Sequence, residues 1–394
     1  MARRLMLVLV LLSLALPAAA EETRKSAIAM EAASASGDQD DGRVQVSYKD
    51  GFRLQAGDRF QLNLGARMQF RYAYGQDGDT LSFEDLSSFG IRRARLKAGG
   101  FGYQEWFNYY FEYDFPSHSL LDWRITVEKF KWAQLRFGQW KIDYNRERVD
   151  SSGKQQFVDR SIVNRPFTLD RQIGMMVFGH LFEKTHGYVV YNVGMFTGAG
   201  INQRENDDDG HLYMGRLQWN FLGRDLKFSQ SDVEGHEKPA ASLSLGAARN
   251  VTNRRQFPQT KDLGKPGQFL IEQGVSELAF KWRGFSFQTE YHLKRILDRL
   301  DASQTLLMGA YGQTGYFPHR LVSAIPEPLE LAVRYAFVDP DRTRPDDLLQ
   351  EYSLAANWFF ADHANKLTAD LSHLTGDPGG LANTRFRMQW DVSF

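Results

Sequence analysis

Thr384 to Phe394 reads T-R-F-R-M-Q-W-D-V-S-F. Phe386, Met388, Trp390, Val392 and Phe394 share one parity; Arg385, Arg387, Gln389, Asp391 and Ser393 share the other. Successive side chains of a β-strand point to opposite faces, so this strand has one oily face and one charged face. About 9–11 residues of such alternation is the length of a tilted strand crossing a bilayer. The segment therefore reads as a membrane-spanning strand with lipid on one side and water on the other.

Working outward, the same pattern recurs. From Phe60 to Tyr74, Phe60, Leu62, Leu64, Ala66, Met68, Phe70 and Tyr72 alternate with Gln61, Asn63, Arg67, Gln69 and Arg71. Similar segments occupy 89–99, 105–115, 121–127, 133–137, 173–181, 188–196, 212–221 and 242–250. They continue at 276–282, 285–293, 306–317, 329–338, 352–360 and 366–374, which with the terminal strand makes sixteen. The expected fold class is all-β: a transmembrane antiparallel β-barrel whose sixteen strands enclose an aqueous lumen. Short turns at 282–285 and 377–380 are expected on the periplasmic side or at simple hairpins. The polar stretches 223–239, 253–268 and 339–349 are expected as external loops.

Composition agrees. Charged residues make up 24% and aromatics 13%, while mean hydropathy is −0.46. A barrel reconciles these values, because half of each strand faces lipid, half faces water, and aromatic belts mark both interfaces. At the amino terminus, Arg3 and Arg4 precede an apolar run from Leu5 to Leu16, then Pro17 and Ala18-Ala19-Ala20. Residues 1–20 read as a secretory signal, 21–50 as a flexible leader without period, and 51–394 as the barrel. Export places that barrel in the outer membrane of a Gram-negative bacterium, in contact with outer-membrane lipid. Lys and Arg number 48 against 48 Asp and Glu, and losing Arg3 and Arg4 leaves the remainder slightly acidic. Any attraction for anions must then come from local placement.

Parity also locates the lumen. An Arg facing lipid at mid-membrane costs roughly 2–4 kcal/mol, so the cations of alternating strands should point inward. Arg67 and Arg71 meet this test. In 89–97, Arg93, Arg95 and Lys97 share a parity opposite to Ala94 and Leu96, and residues two apart rise about 7 Å. They would form a column along the pore wall, to which Arg124 and Arg136 could add. Arg92 has the wrong parity and must sit at a strand end, in a bulge, or at an interface. The longest stretch without alternation, 143–172, holds Arg146, Arg148, Lys154, Arg160, Arg165 and Arg171. A loop this long is usually functional, and in a barrel of this size it would fold inward as a constriction.

A terminal strand ending on Phe resembles that of outer-membrane barrels in general. More specifically, Gly90-Ile91-Arg92-Arg93-Ala94-Arg95-Leu96-Lys97 resembles the R-R-A-R-L strand of the phosphate-selective porin O/P family. The segments 137–141 (F-G-Q-W-K), 160–165 (R-S-I-V-N-R) and 357–359 (N-W-F) are similar to that family too. The resemblance, which runs over 51–394, implies a homotrimeric anion porin with an inward-folded third loop and an arginine ladder guiding phosphate or polyphosphate. Arg92, Arg93 and Arg95 would then belong to the ladder and Arg160 to the constriction loop, with Lys154 the candidate pore lysine. The expected partners are small anions, phosphate and chloride among them, and no nucleic acid.

Other chemistries find little support. The nine His include no H-E-x-x-H and no paired metal spacing, and 206–210 (N-D-D-D-G) lacks the twelfth-position ligand of a calcium loop. No cofactor and no catalytic cluster is expected. A general non-selective porin is the main alternative, in which the cations simply pair with Glu112, Asp114, Glu128 and Glu290. A barrel enzyme and an adhesin are the more distant ones.

Overall fold

The computed structural model describes residues 44–48, 51–75, 87–256, 263–376 and 381–394. The expected signal segment, residues 21–43 and the turn at 377–380 lie outside them. Inside the expected leader, a short strand β1 (Val44–Tyr48) pairs with β2 (Phe52–Ala56). Sixteen further strands follow: β3 (Phe60–Tyr74), β4 (Ser87–Gly102), β5 (Gln104–Asp114), β6 (Ser119–Phe130), β7 (Ala133–Lys141), β8 (Arg171–Leu181), β9 (Val189–Phe196) and β10 (Leu212–Trp219). The second half comprises β11 (Ala240–Thr252), β12 (Phe269–Trp282), β13 (Phe285–Asp298), β14 (Gln304–Tyr316), β15 (Leu329–Asp339), β16 (Leu349–Ala361), β17 (Asn365–Gly376) and β18 (Leu381–Ser393).

Each of these pairs antiparallel with the next, and β18 returns to β3, from Phe386↔Tyr74 to Ser393↔Arg67. Two main-chain bonds between Ala66 and Phe394, at 2.6 and 3.0 Å, complete the seam. The barrel is closed, so no strand edge faces lipid. All sixteen segments read from the alternation are present. Burial runs opposite to that of a water-soluble protein: Phe70, Leu96, Val193, Leu217, Leu245 and Leu278 are exposed to the outside, whereas Arg67, Gln69, Arg71, Arg216, Glu277 and Glu290 are buried.

Alternation under-reads some strands for a physical reason. β12 extends seven residues above the expected 276–282 because its upper half inverts the pattern. There Ile271 and Val275 point inward and are buried, while Glu272 lies on the exposed face. Inward apolar residues make sense only if something apolar fills the lumen beside them.

Strand direction sorts the connections between two ends. The end away from Phe394 carries 142–170, 197–211, 253–256, 263–268 and 340–348, and the Phe394 end carries 131–132, 182–188, 283–284 and 362–364. Longer loops face outside the cell and shorter turns the periplasm. The expectation that 223–239 is an external loop is corrected: it joins β10 to β11 at the Phe394 end. Its length and polarity resemble those of the outer loops; only the count of preceding strands tells them apart.

Aromatic belt residues stand where the alternation put them. Trp219, Trp282 and Trp390 are exposed near the periplasmic rim, and each indole N–H donates to a rim acceptor: His186 O (2.6 Å), Glu237 O (3.2 Å) and Asn365 Oδ1 (2.8 Å). One glycine is required by the backbone. Gly138 in β7 has a φ of +118°, and a Cβ there would lie 2.1 Å from the carbonyl oxygen of Trp123. Gly138→Ala is expected to cost roughly 1–3 kcal/mol. The folded, fast-migrating band in unheated electrophoresis should then convert at a lower temperature than the parent's.

Candidate permeation site

The segment between β7 and β8 folds into the lumen, as its lack of period suggested. It contains two short helical turns, Arg146–Val149 and Asn164–Phe167. Two apolar clusters seat it. Ile142, Tyr144 and Leu169 pack with Trp140, Met176, Phe196 and Val275, and Val163 and Phe167 pack with Tyr311, Ala336 and Val338. These clusters fill the space that the inverted half of β12 faces.

Polar groups of the wall then hold the loop by its main chain. Carboxylates accept loop N–H groups: Glu277 from Arg146 (3.1 Å), Glu290 from Glu147 (2.6 Å), Asp370 from Val158 (3.0 Å) and Glu351 from Ile162 (2.9 Å). Wall donors reach loop carbonyls: Lys294 to Pro166 (2.8 Å), Gln273 to Phe167 (2.9 Å), Asn357 to Gln156 (2.9 Å), Arg334 to Asp159 (3.1 Å) and Lys366 to Gln155. A loop buried away from bulk water must satisfy its backbone in some such way. The charges of β12, β13 and β15–β17 are thus committed to holding the loop.

The expected ladder separates into three kinds of residue. Arg67 and Arg71 point inward as parity required, yet both are engaged. Arg67 binds Asp391, Ser151 and Ser152, each at 3.1 Å, and Arg71 binds Gln389 (2.8 Å) and Asp159 (2.7 Å). Arg93 donates to Gln69 at 2.7 Å and lies 4.0 Å from Asp159; Arg95 pairs with Glu112 (2.8 Å) and Asp114 (3.3 Å). Lys97 makes no hydrogen bond or ion pair among the described residues and lines two cavities, of about 1210 and 590 Å³. The smaller also includes Arg124 and Arg136, which pair with Asp122 (3.7 Å) and Asp143 (2.8 Å).

Arg92 stands at a bulge. Gln69 faces Arg93 and Phe70 faces Ile91, so Arg92 is the extra residue between them, and it is exposed. The bulge resolves a conflict in the sequence. Phe89 and Ile91 pair with Tyr72 and Phe70 on the lipid face, whereas Arg93 and Arg95 pair with Gln69 and Arg67 on the lumen face. All four have odd numbers, and one additional residue changes the face between them.

In the loop, Arg160 turns back on its own segment and donates to the carbonyls of Glu147 (2.8 Å), Arg148 (3.2 Å) and Asp150 (2.7 Å). It ties the loop together instead of reaching across the pore. Burial and the neighbouring Arg148 lower its pKa to about 9, which leaves it charged at neutral pH. Arg165 is half-buried in the second helical turn. Lys154 is exposed at the loop tip and lines the larger cavity with Lys97, and its ammonium has no hydrogen-bond or ion-pair partner among the described residues.

Sequence reasoning missed the loop's hub. Asp159 receives Arg71 (2.7 Å), Arg387 (3.4 Å) and Arg93 (4.0 Å). Burial works against its ionised form, but these arginines hold the carboxyl far below the usual range. Nothing in an aperiodic loop singles out one aspartate among several, whereas Arg387 was legible from strand parity. Glu147 shows the reverse balance. Burial first, then the nearby Glu290 carboxylate, raise its pKa to about 7 against the pull of Arg334 and two hydrogen bonds from Ser161.

With this geometry, a family model for phosphate-selective porins O and P matches residues 60–383. The chain belongs to that family. Solved structures with a similar fold include an anion-selective porin from Comamonas acidovorans, 10% identical, covering 84% of this chain and 99% of that one at a TM-score of 0.55. Pseudomonas putida OprB is 12% identical over 84% and 94% of the two chains, TM-score 0.55. The Acinetobacter baumannii channel DcaP is 11% identical over 84% and 97%, TM-score 0.54. At such identities the likeness bears on the fold alone. No curated protein matches the chain. Family and barrel together make this protein an outer-membrane porin of Gram-negative type, a channel and not an enzyme.

Two outcomes follow for the loop. Asp159→Asn removes the charge that three arginines share, so the loop should detach from the β3–β4 side. Planar-bilayer recording should give a noisier current of higher conductance, and an unaltered trace would remove Asp159 from its role. The raised pKa of Glu147 means that the docked loop favours the protonated form. Its contribution is complete below the ordinary carboxyl value of 4.5 and is lost as pH rises through about 7. Loop amide exchange should quicken across that interval beyond its intrinsic pH dependence, and Glu147→Gln should abolish the excess.

Proposed function

We propose that this porin passes small anions by passive diffusion along a basic wall, with phosphate as the favoured solute. The observation that carries the reading is the pair Lys97 and Lys154. Both line one cavity of about 1210 Å³, and neither ammonium makes a hydrogen bond or a close ion pair among the described residues, although Lys97 stands opposite Glu112 across β4–β5 and Asp150 shares the cavity lining. Of the acids nearest the column, Asp159 is outnumbered by three arginines, while Glu112 and Asp114 share Arg95. Weak cationic sites in series exchange an ion's hydration stepwise and release it again, as conduction requires. Phosphate suits such sites because it offers several charged acceptor oxygens to ammonium and guanidinium groups. Family membership supports phosphate, and the anion-selective structural neighbour supports anions more broadly. A homotrimer fits the same reading, since a related fold, OmpT of Vibrio cholerae, is described in a trimer form. Residues 1–20 would serve as its export signal.

A general porin is favoured by one observation: Arg95, at the centre of the column, is matched by two carboxylates. Reversal potentials in a salt gradient discriminate between the two readings. The wild-type channel is expected to favour anions, and Lys97→Gln with Lys154→Gln should reduce that preference roughly fivefold per charge, near 1 kcal/mol each. Phosphate block of chloride current should weaken in parallel. Cation preference in the wild type would reject the anion reading.

A further inference from the structure

The 220–239 connection does not hang in the periplasm but enters the lumen. Gln230, Ser231 and Asp232 are each at most 3% exposed. The wall ties them down: Lys281 on β12 donates to Ser229 Oγ and Ser231 O, both at 2.8 Å, and Ser231 Oγ donates to Glu330 on β15 at 2.8 Å. Gly284 N–H donates to Asp232 Oδ2 at 2.7 Å, and Arg283 N–H to His236 O at 2.8 Å. The neighbouring β12–β13 connection manages with two residues, Arg283 and Gly284. A much longer, polar, buried segment at the same end is costly unless its contacts do something.

Those contacts reach the constriction loop. Arg146 Nη2 donates to Lys227 O (2.8 Å) and Leu226 O (3.2 Å), and its guanidinium lies 5.2 Å from the Phe228 ring. At the tip, Gln230 holds the loop from both sides of Gln155. Its N–H donates to Lys154 O at 3.4 Å, and its Oε1 accepts from Gln156 N–H at 2.8 Å. The backbone of Lys154 is thereby fixed while its ammonium stays unbonded in the cavity.

We propose that residues 223–239 form the second jaw of the constriction, entering from the periplasmic end, and that Gln230 is a positioning residue that sets where Lys154 stands. Only the significance of Lys154 rests on the anion reading; the clamp itself does not. The wall already holds the tip at Ser151, Ser152, Gln155 and Gln156 through Arg67, Lys366 and Asn357. Gln230 adds a tie from the periplasmic segment on either side of Gln155, and both of its bonds go to the main chain of the loop, so the charge it positions remains available to a passing ion.

The test compares wild type, Gln230→Ala and Gln230→Glu in planar bilayers, and repeats the series with Lys154→Cys, a clean probe because the chain contains no cysteine. Gln230→Ala should raise current noise and accelerate reaction of the introduced thiol with a methanethiosulfonate reagent by about fivefold to tenfold, the scale of one lost hydrogen bond. Gln230→Glu keeps the acceptor for Gln156 N–H, so noise and reaction rate should return to wild-type values. Its added charge beside Lys154 should at the same time lower anion preference, a split that a merely structural role would not produce. Lys238→Gln, at an exposed position of the same segment away from the cavity, should change neither noise nor rate. If Gln230→Ala does not yield folded barrels, Ser231→Ala, which cuts the tie to Glu330, should act in the same direction. Noise and modification rates equal to wild type in the alanine variants would overturn the clamp. A cation-preferring wild type would remove the anion reading while leaving the noise and thiol readouts able to judge the clamp.

Discussion

The structure depends on satisfying main-chain groups inside a polar lumen. A barrel solves this for its strands by closing on itself, but a loop drawn into the interior presents a new set of unpaired N–H and C=O groups. Here the wall provides their partners. Glu277, Glu290, Glu351 and Asp370 accept from loop amides, and Lys294, Lys366, Arg334 and Asn357 donate to loop carbonyls. Charged side chains that look like a pore lining in the sequence are, over half the circumference, the fastening of a plug. The other half of the wall, β3 to β8, is where column, ion pairs and open cavities meet.

That division explains why cations of equal parity have unequal roles. Arg67 and Arg71 sit where the loop returns to the wall and are consumed by it, while Lys97 lies two register steps towards the periplasm and is not. Arg95 stands directly opposite Arg67 across β3–β4 and is paired with Glu112 and Asp114. Charge alone therefore does not identify a solute-contacting residue. What matters is whether a closer partner has already taken it.

The barrel was almost wholly legible from sequence, because period-two alternation is imposed by two solvents at once. Each strand has to obey it wherever one face meets lipid and the other water. Alternation failed where the inner solvent is not water: upper β12 turns Ile271 and Val275 towards the apolar underside of the loop. The site was legible in part. Parity identified Arg67, Arg71, Arg93, Arg95 and Lys97 as inward, and lack of period marked the constriction loop. Which of these cations are free, that Asp159 is a hub, and that 223–239 enters from the other end all depend on contacts between segments far apart in the chain. No local pattern encodes those contacts. Arg92 is instructive, because motif likeness assigned it to the ladder and its parity argued against, and the bulge accounts for both.

That bulge carries a consequence of its own. Upstream of it the odd-numbered side chains meet hydrocarbon, and downstream they meet the channel water. The position occupied by Arg92 acts as a frame-shift in space: what it contributes is a count of one, with chemistry secondary. Evolution could exchange its side chain freely, but losing the residue altogether would transpose every neighbour above it, turning aromatic rings to the water and the backbone of Gly90 to the oil.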